Sequence, residues 1–183
     1  ISSVICAYLL GKAEVIASNE TSANEMNMEI DGVKVNHQYS KSFEFESDFS
    51  SLLSKNGVPV RYFSLLRPLH ELQIAKIFLS EPQYSNSFIS CNHGFRQGFW
   101  CLKCAKCAFI CLMVNAISPS AADNIFKVND SINLPELHDH IIALIEPQTD
   151  KPLECVGTLE ECQIAAKMIL NNPNIQLNER LKT

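Results

Sequence analysis

Apolar residues near the start return at helical spacing. Ile1, Val4, Ile5, Tyr8 and Leu9 share one face, and Gly11-Lys12 ends the pattern. No capping residue precedes this run, so the sequence is expected to open in mid-helix, as the C-terminal part of a chain that extends upstream. Ala13-Glu14-Val15-Ile16-Ala17-Ser18 predicts a short buried strand of the parallel α/β kind. A polar stretch, residues 19–25, follows it. A second polar stretch, residues 33–41, lies beyond a turn at Asp31-Gly32. Phe45, Phe49, Leu52 and Leu53 then step by i, i+4, i+7 and i+8, which predicts an amphipathic helix ending at Asn56-Gly57. Val58 to Phe63 predicts a second strand, placed by Pro59 at a start or an edge.

Pro68 suits the first turn of a further helix, with Leu69, Leu72, Ala75, Ile77 and Leu79 toward the core. Ser87 to Ser90 reads as one more short strand that delivers Cys91. Ala105 to Ile117 is apolar on nearly every side and predicts a buried helix. Asn133 to Glu136 and Thr158 to Glu161 both resemble capping boxes, ahead of helices at about 134–146 and 158–171. Ser118-Pro119-Ser120 suggests a boundary between a sheet-bearing part, residues 1–117, and a helical extension, residues 118–183.

With 183 residues, 46% of them hydrophobic, the chain can fill one sizeable core and no more than an appendage beside it. A formal charge of −5 lacks the basic stripe that neutralises phosphates, so no nucleic-acid partner is expected. The longest apolar run, Ala108 to Val114, is far short of the roughly 20 residues of a bilayer span, and no membrane partner is expected. Nothing in the sequence resembles a signal peptide, and a cytoplasmic location is expected. The six glycines form no Gly-rich phosphate loop.

Four of the eight cysteines change the picture. Cys91, Cys101, Cys104 and Cys107 fall within Cys91-Asn-His-Gly-Phe-Arg-Gln-Gly-Phe-Trp-Cys101-Leu-Lys-Cys104-Ala-Lys-Cys107. Interlocked Cys-x-x-Cys turns let amides point at sulfurs, and Cys91 can close a tetrahedron around Zn²⁺. Four thiolates leave no open coordination position, so the ion would be structural. Lys103, Lys106 and Arg96 are placed to offset the negative charge. Disulfides or inert buried thiols are the alternatives, both disfavoured by a reducing compartment. His93 is an alternative to Cys91 as ligand. Cys6, Cys111 and Cys162 fall on apolar helical faces and read as core.

Ser18-Asn19-Glu20-x-Ser22-Ala23-Asn24, Val35-Asn36-His37-Gln38-Tyr39-Ser40-Lys41-Ser42-x-Glu44-Phe45-Glu46, Leu66-Arg67-Pro68-x-x-Glu71 and Lys151-Pro152-x-Glu154-Cys155-Val156-Gly157-Thr158 together resemble the UDP-N-acetyl-α-D-muramoyl-L-alanyl-L-glutamate epimerases. The knuckle resembles that of the 7-cyano-7-deazaguanine synthase branch of the PP-loop, or ATP pyrophosphatase, superfamily. The resemblance implies an α/β fold: part of a PP-loop parallel sheet with flanking helices, a four-Cys zinc knuckle at 91–107 and a helical C-terminal part. It also implies ATP and Mg²⁺ as cofactors and a nucleotide-sugar dipeptide as substrate. The terminal L-glutamate would be inverted through an acyl-adenylate, for peptidoglycan synthesis. The superfamily's Ser-Gly-Gly-x-Asp-Ser-type loop has no counterpart in these residues, so the 183 residues alone are expected to be inactive. The rival readings are another PP-loop adenylating ligase and a non-catalytic, zinc-stabilised interaction module.

On the resemblance, Glu20 serves Mg²⁺ or acts as a base, and Asn19, Ser22 and Asn24 bind phosphate or carboxylate oxygens; otherwise they are a polar turn beyond a strand. His37 can shuttle the α-proton, because an unperturbed histidine changes charge near neutral pH, or be a structural histidine. Lys41 faces phosphate or the activated carboxylate, with Asn36, Gln38 and Ser40 positioning substrate; otherwise it is a solvated lysine. Glu44 and Glu46 read as favourable charge in a helix's first turn. Arg67 can bind a phosphate or carboxylate bidentately, and Glu71 can bind substrate or pair with it. His93, Arg96 and Glu154 can face the site. Cys155 shows no basic neighbour that would make it a nucleophile.

Overall fold

A computed structural model describes residues 1–26, 28–147 and 154–181. The chain divides into two compact units, Ile1–His70 and Glu71–Thr183.

The first unit runs α1 (Ser2–Leu9), β1 (Glu14–Ala17), a 3₁₀ turn (Thr21–Asn24), β2 (Met28–Ile30), β3 (Val33–Val35), a 3₁₀ turn (Tyr39–Lys41), α2 (Phe43–Lys55) and β4 (Arg61–Ser64). β1 and β4 pair in parallel, from Glu14 opposite Arg61 to Ala17 opposite Ser64. The expectation of a buried first strand is corrected. Only one face of the pair is covered by the unit's own core, so burial alternates along β1 and Ile16 stays 55% exposed. That core is Val4, Ala7, Phe49, Leu53 and Val60, with Val15, Phe45, Val58 and Tyr62 packed against it.

α2 forms where the apolar spacing places it. The Ser42 side chain caps it by accepting from the Phe45 amide, Glu44 and Glu46 occupy the first turn, and Lys55 the last. Gly57 takes a left-handed φ of 66° just beyond the helix. β2 and β3 form an antiparallel hairpin from Met28 opposite Val35 to Ile30 opposite Val33. Its turn requires positive φ at both central residues, supplied by Asp31 (50°) and Gly32 (77°).

The second unit runs α3 (Glu71–Leu79), a 3₁₀ turn (Pro82–Ser87), the cysteine loop, α4 (Ala105–Ile117), α5 (Pro119–Phe126), α6 (Pro135–Ile145) and α7 (Leu159–Leu170). α4 is the central element. Phe109, Cys111, Leu112, Met113 and Val114 are all buried, and α5, α6 and α7 pack around it with Ile125, Leu137, Ile141, Cys162, Ala165 and Ile169. Its near-continuous apolar sequence fits a helix enclosed on all sides.

Several expectations are corrected here. Pro68 does not start a helix. It lies in a turn closed by Leu69 N donating to Leu66 O, and α3 begins at Glu71. Ile77 points outward at 56% exposure, while Leu72, Ala75, Phe78 and Leu79 meet the core. Ser87 to Ser90 forms no strand. Ser118-Pro119 is a helix junction, the Ser118 hydroxyl accepting from Ala121 N with Pro119 in the first turn of α5, so the division at 117/118 falls inside the second unit. Asn133 caps no helix. Its amide donates to both carboxylate oxygens of Asp130 (2.9 Å each), and α6 starts at Pro135 without a side-chain cap. The second capping box is present, with Thr158 and Glu161 bonding reciprocally at the start of α7. No helix among the described residues is long and apolar enough to cross a membrane.

Candidate functional site

In the first unit, both parallel strands end in polar residues that meet. Asn19, just past β1, donates to the hydroxyl of Ser64, the last residue of β4, at 3.0 Å. This is the end of a parallel sheet where ligands bind. Thr21 ties the following 3₁₀ turn to the Arg67 loop, its hydroxyl donating to Arg67 O at 2.6 Å and its amide to Leu69 O at 3.1 Å.

Arg67 is the hub. Its two terminal nitrogens donate to Glu20 O (2.9 Å), Lys41 O (2.7 Å), Glu46 Oε2 (2.9 Å) and Ser64 Oγ (3.3 Å). One planar fork therefore clamps the loop after β1, the turn before α2, α2 itself and the end of β4. The ion pair with Glu46 is sheltered, the side chains being 13% and 11% exposed. Burial pushes the Glu46 carboxyl up, but bonds from Ser64 and Arg67 outweigh it and hold the group below its ordinary range. Glu46 thus does more than decorate a helix start. The guanidinium Nε is buried with no hydrogen-bond partner.

Most of the sequence candidates lie on this frame. Ser22, 2% exposed, donates to Glu20 Oε1 at 3.1 Å. Asn24 donates to Thr21 O (3.0 Å) and accepts from Phe43 N (2.7 Å). Asn36 donates to Ala23 O and accepts from Gln38 N, both at 2.8 Å, joining the two polar segments. Lys41 Nζ donates to Gln38 Oε1 at 3.2 Å, and Gln38 is buried. His37 and Ser40 stand exposed on the same stretch. Glu71 belongs to the second unit, where it opens α3 and lines a cavity.

Sequence reasoning missed Ser64, Thr21 and the linking role of Glu46. Ser64 was within reach: the rule that singled out Asn19 and Glu20 beyond the first strand applies equally to the end of the second. The Glu46 partnership crosses 21 residues of sequence and carries no local signal.

In the second unit, the sulfurs of Cys91, Cys101, Cys104 and Cys107 all lie within 4.8 Å of one another. Cys101 and Cys107 sulfurs are 3.8 Å apart, close to the ~3.8 Å edge of a tetrahedron with Zn–S bonds of about 2.3 Å. No pair among the eight cysteines is a disulfide. The loop is shaped to hold them. Cys91 Sγ accepts from Gly94 N (3.1 Å) and Cys101 N (3.3 Å), and Cys104 Sγ caps α4 by accepting from Cys107 N at 3.4 Å. Gly94 has no room for a side chain, since a Cβ would lie 2.1 Å from Phe99 O.

Burial raises the Cys91 thiol, but the amides of Cys101 and Gly94 more than reverse this and pull it down to about 6. Burial pushes Cys107 far the other way, against a hydrogen bond from the Leu102 backbone, and a bound cation would favour its thiolate. Donor type, spacing and amide support therefore fit a divalent ion held by these four residues. Such an ion would supply folding stability and no open coordination position. His93 Nδ1 sits beside Cys101 Sγ at 3.9 Å, a neighbour of the set. Lys106 donates to Cys155 O and lies over the Phe109 ring at 5.2 Å. Cys111 and Cys162 are core as expected, and burial raises the Cys111 thiol to about 12. Cys6 is exposed, against expectation. Of the motif that starts at Lys151, the first three residues lie outside the described residues.

A small parallel α/β unit with a polar strand-end wall, followed by a helical unit with a four-cysteine cluster, defines an α/β protein able to hold a metal ion. The MurL N-terminal domain matches residues 1–65 and the MurL C-terminal domain residues 87–182, and the chain belongs to the MurL family. It is 37% identical over 177 residues to the UDP-N-acetyl-alpha-D-muramoyl-L-alanyl-L-glutamate epimerase of Xanthomonas oryzae pv. oryzae. It is 34% identical to the proteins of that name from Salinispora tropica and a Micromonospora species. These matches cover 91% of the chain, which spans 38% of the length of each relative. No solved structure matches.

Proposed function

We propose that the chain is part of a cytoplasmic, ATP-dependent epimerase that inverts the terminal L-glutamate of UDP-N-acetylmuramoyl-L-alanyl-L-glutamate, serving cell-wall synthesis. The observation that carries this reading is that domain models of one family match both units, with relatives named for that activity at 34–37% identity. The strand-end wall of the first unit supports it, because acid activation needs oxygen-binding groups and proton carriers on one surface. The β1–β4 pair is read as part of a larger PP-loop-type sheet.

The chemistry explains why ATP would be needed. An α-proton beside a carboxylate is held tightly because removing it creates a dianion. Attack of the glutamate carboxylate on the α-phosphorus of ATP releases pyrophosphate and leaves an acyl-adenylate with a far more acidic α-proton. Removal of that proton from one face, its return to the other, and attack of water on the acyl carbon give D-glutamate and AMP. Exposed His37 and half-buried Glu20 are the proton-carrier candidates, and Glu20 the candidate for Mg²⁺. Lys41, Asn19, Ser22, Asn24, Asn36, Gln38 and Ser40 orient oxygens. Arg67 sets the wall's shape through the acceptors it already binds. Zinc at the four cysteines is structural.

The test incubates the full natural polypeptide with ATP, Mg²⁺ and the muramoyl dipeptide in D₂O, then analyses the glutamate. D-glutamate carrying one solvent deuterium at the α-carbon is expected. Unchanged L-glutamate with no deuterium would remove the reading, and an adenylate passed to ammonia would point to a ligase.

A further inference from the structure

The four clustered cysteines are not equally hidden. Cys91, Cys104 and Cys107 are 1%, 3% and 0% exposed, while Cys101 is only half-buried. Its sulfur lies 3.9 Å from Nδ1 of His93, which stands exposed on the cysteine loop. A small reagent arriving from solvent therefore meets the cluster at Cys101. A coordinating thiol is deprotonated outright, and the thiolate is the form that oxidants attack.

Cys101 also has a second sulfur within reach. Its Sγ is in contact with Cys107 Sγ at 3.8 Å, so the two need approach by less than about 2 Å to reach the length of an S–S bond. Only five residues separate them in sequence, and Cys101 lies on the loop ahead of α4, where its backbone is not held in a helix. An accessible thiolate beside a buried thiol that can resolve it is the arrangement of a redox-sensing pair. We infer that Cys101 is a modification site for peroxides and Cys107 its resolving partner, the two closing into a disulfide at the foot of α4.

The chemistry balances with hydrogen peroxide as the oxidant. The Cys101 thiolate attacks one oxygen, the O–O bond breaks, and the sulfur keeps that oxygen as a sulfenic acid while hydroxide leaves. The Cys107 thiolate then attacks the Cys101 sulfur, the S–O bond breaks, and a second hydroxide leaves. The two sulfurs have given up two electrons, and the peroxide has been reduced to two hydroxides. A cation on the cluster loses two of its four donors in this step and is released. Cys104 and Cys107 open α4, the central helix of the second unit, so the bridge forms where that unit's packing begins. A thiol reductant reverses it by exchange.

The test treats the full natural polypeptide, loaded with Zn²⁺, with hydrogen peroxide in the presence of a colorimetric zinc indicator. Differential alkylation and mass spectrometry then map the cysteines. Release of one Zn²⁺ per chain is expected, with Cys101–Cys107 as the first bridge and dithiothreitol restoring both thiols. Cys6→Ser and Cys155→Ser remove the other accessible thiols and should leave the release rate within about twofold. Cys107→Ser should stop at a sulfenic acid on Cys101, trapped by dimedone; if that variant does not fold, the map of the unaltered protein decides. A first bridge between any other pair would overturn the assignment. So would Zn²⁺ release with all four thiols unmodified, or oxidation of Cys6 or Cys155 with the cluster intact. None of these readouts depends on glutamate inversion, so failure of the proposed function would leave the site standing.

Discussion

The two units solve the problem of order differently. The second buries a continuous apolar helix, α4, among three others and anchors its first turn to a four-sulfur cluster through Cys104 and Cys107. The first has five core residues, two four-residue strands and a helix, α1, whose Ile5, Tyr8 and Leu9 remain more than half exposed. It gives much of its interior to polar groups: Ser22, Gln38, Ser42, Glu46 and Ser64 are all buried. A unit built around packing and a cysteine cluster able to hold a metal tolerates a plain surface. One built around hydrogen bonds keeps polar groups fixed where a ligand can meet them, at a cost in stability.

The largest test of this contrast removes a thiolate. Cys104→Ser takes away one of the four candidate metal ligands and the cap of α4 together. With structural zinc sites contributing ~10–16 kcal/mol, the variant should lose both the bound ion and cooperative unfolding of the helical unit, read by elemental analysis and far-UV circular dichroism. Next in size, Glu46→Gln leaves the sheltered Arg67 guanidinium uncompensated and should cost about 3 kcal/mol in urea denaturation at neutral pH.

That pair also fixes a pH dependence. The folded Glu46 carboxyl is held below its ordinary range, so the native state binds the proton less readily than the unfolded chain. Its contribution is present above the unfolded value of about 4.3 and is lost as pH falls through the folded value. Acid should therefore narrow the stability gap between the natural protein and Glu46→Gln.

Smaller changes probe the packing of the second unit. Gly157→Ala would place a Cβ 2.8 Å from Phe109 Cε2 and 3.0 Å from Cζ, with the ring buried and unable to yield, and should cost about 1–3 kcal/mol by thermal melting. Thr158→Ala, which opens the capping box of α7, should cost about 1 kcal/mol in the same measurement.

What could be read in advance follows the same divide. The buried helix α4, the amphipathic helix α2 and the Thr158 capping box announce themselves in local spacing, because each depends on residues within one or two turns. The cysteine cluster was legible for the same reason. The strand expected at Ser87–Ser90 and the helix start at Pro68 failed because residue preference alone cannot supply a pairing partner or a first turn. Asn133 has the look of a cap, yet its amide is drawn to Asp130 and to the carbonyl of Gln176, 43 residues away. The candidates at 19–24 and 36–41 could be named from the strand-end rule and the family resemblance. That one arginine joins them to α2 could not, since its partners Glu20, Lys41 and Glu46 are 21 to 47 residues distant.

Hydrogen exchange of the natural protein, before and after treatment with a metal chelator, puts the division of labour to the most direct test. Protection should collapse in α4, α6 and α7 while the amides of α2 and β4 keep theirs. Equal loss across both units, or unchanged protection of α4 in metal-free protein, would contradict it.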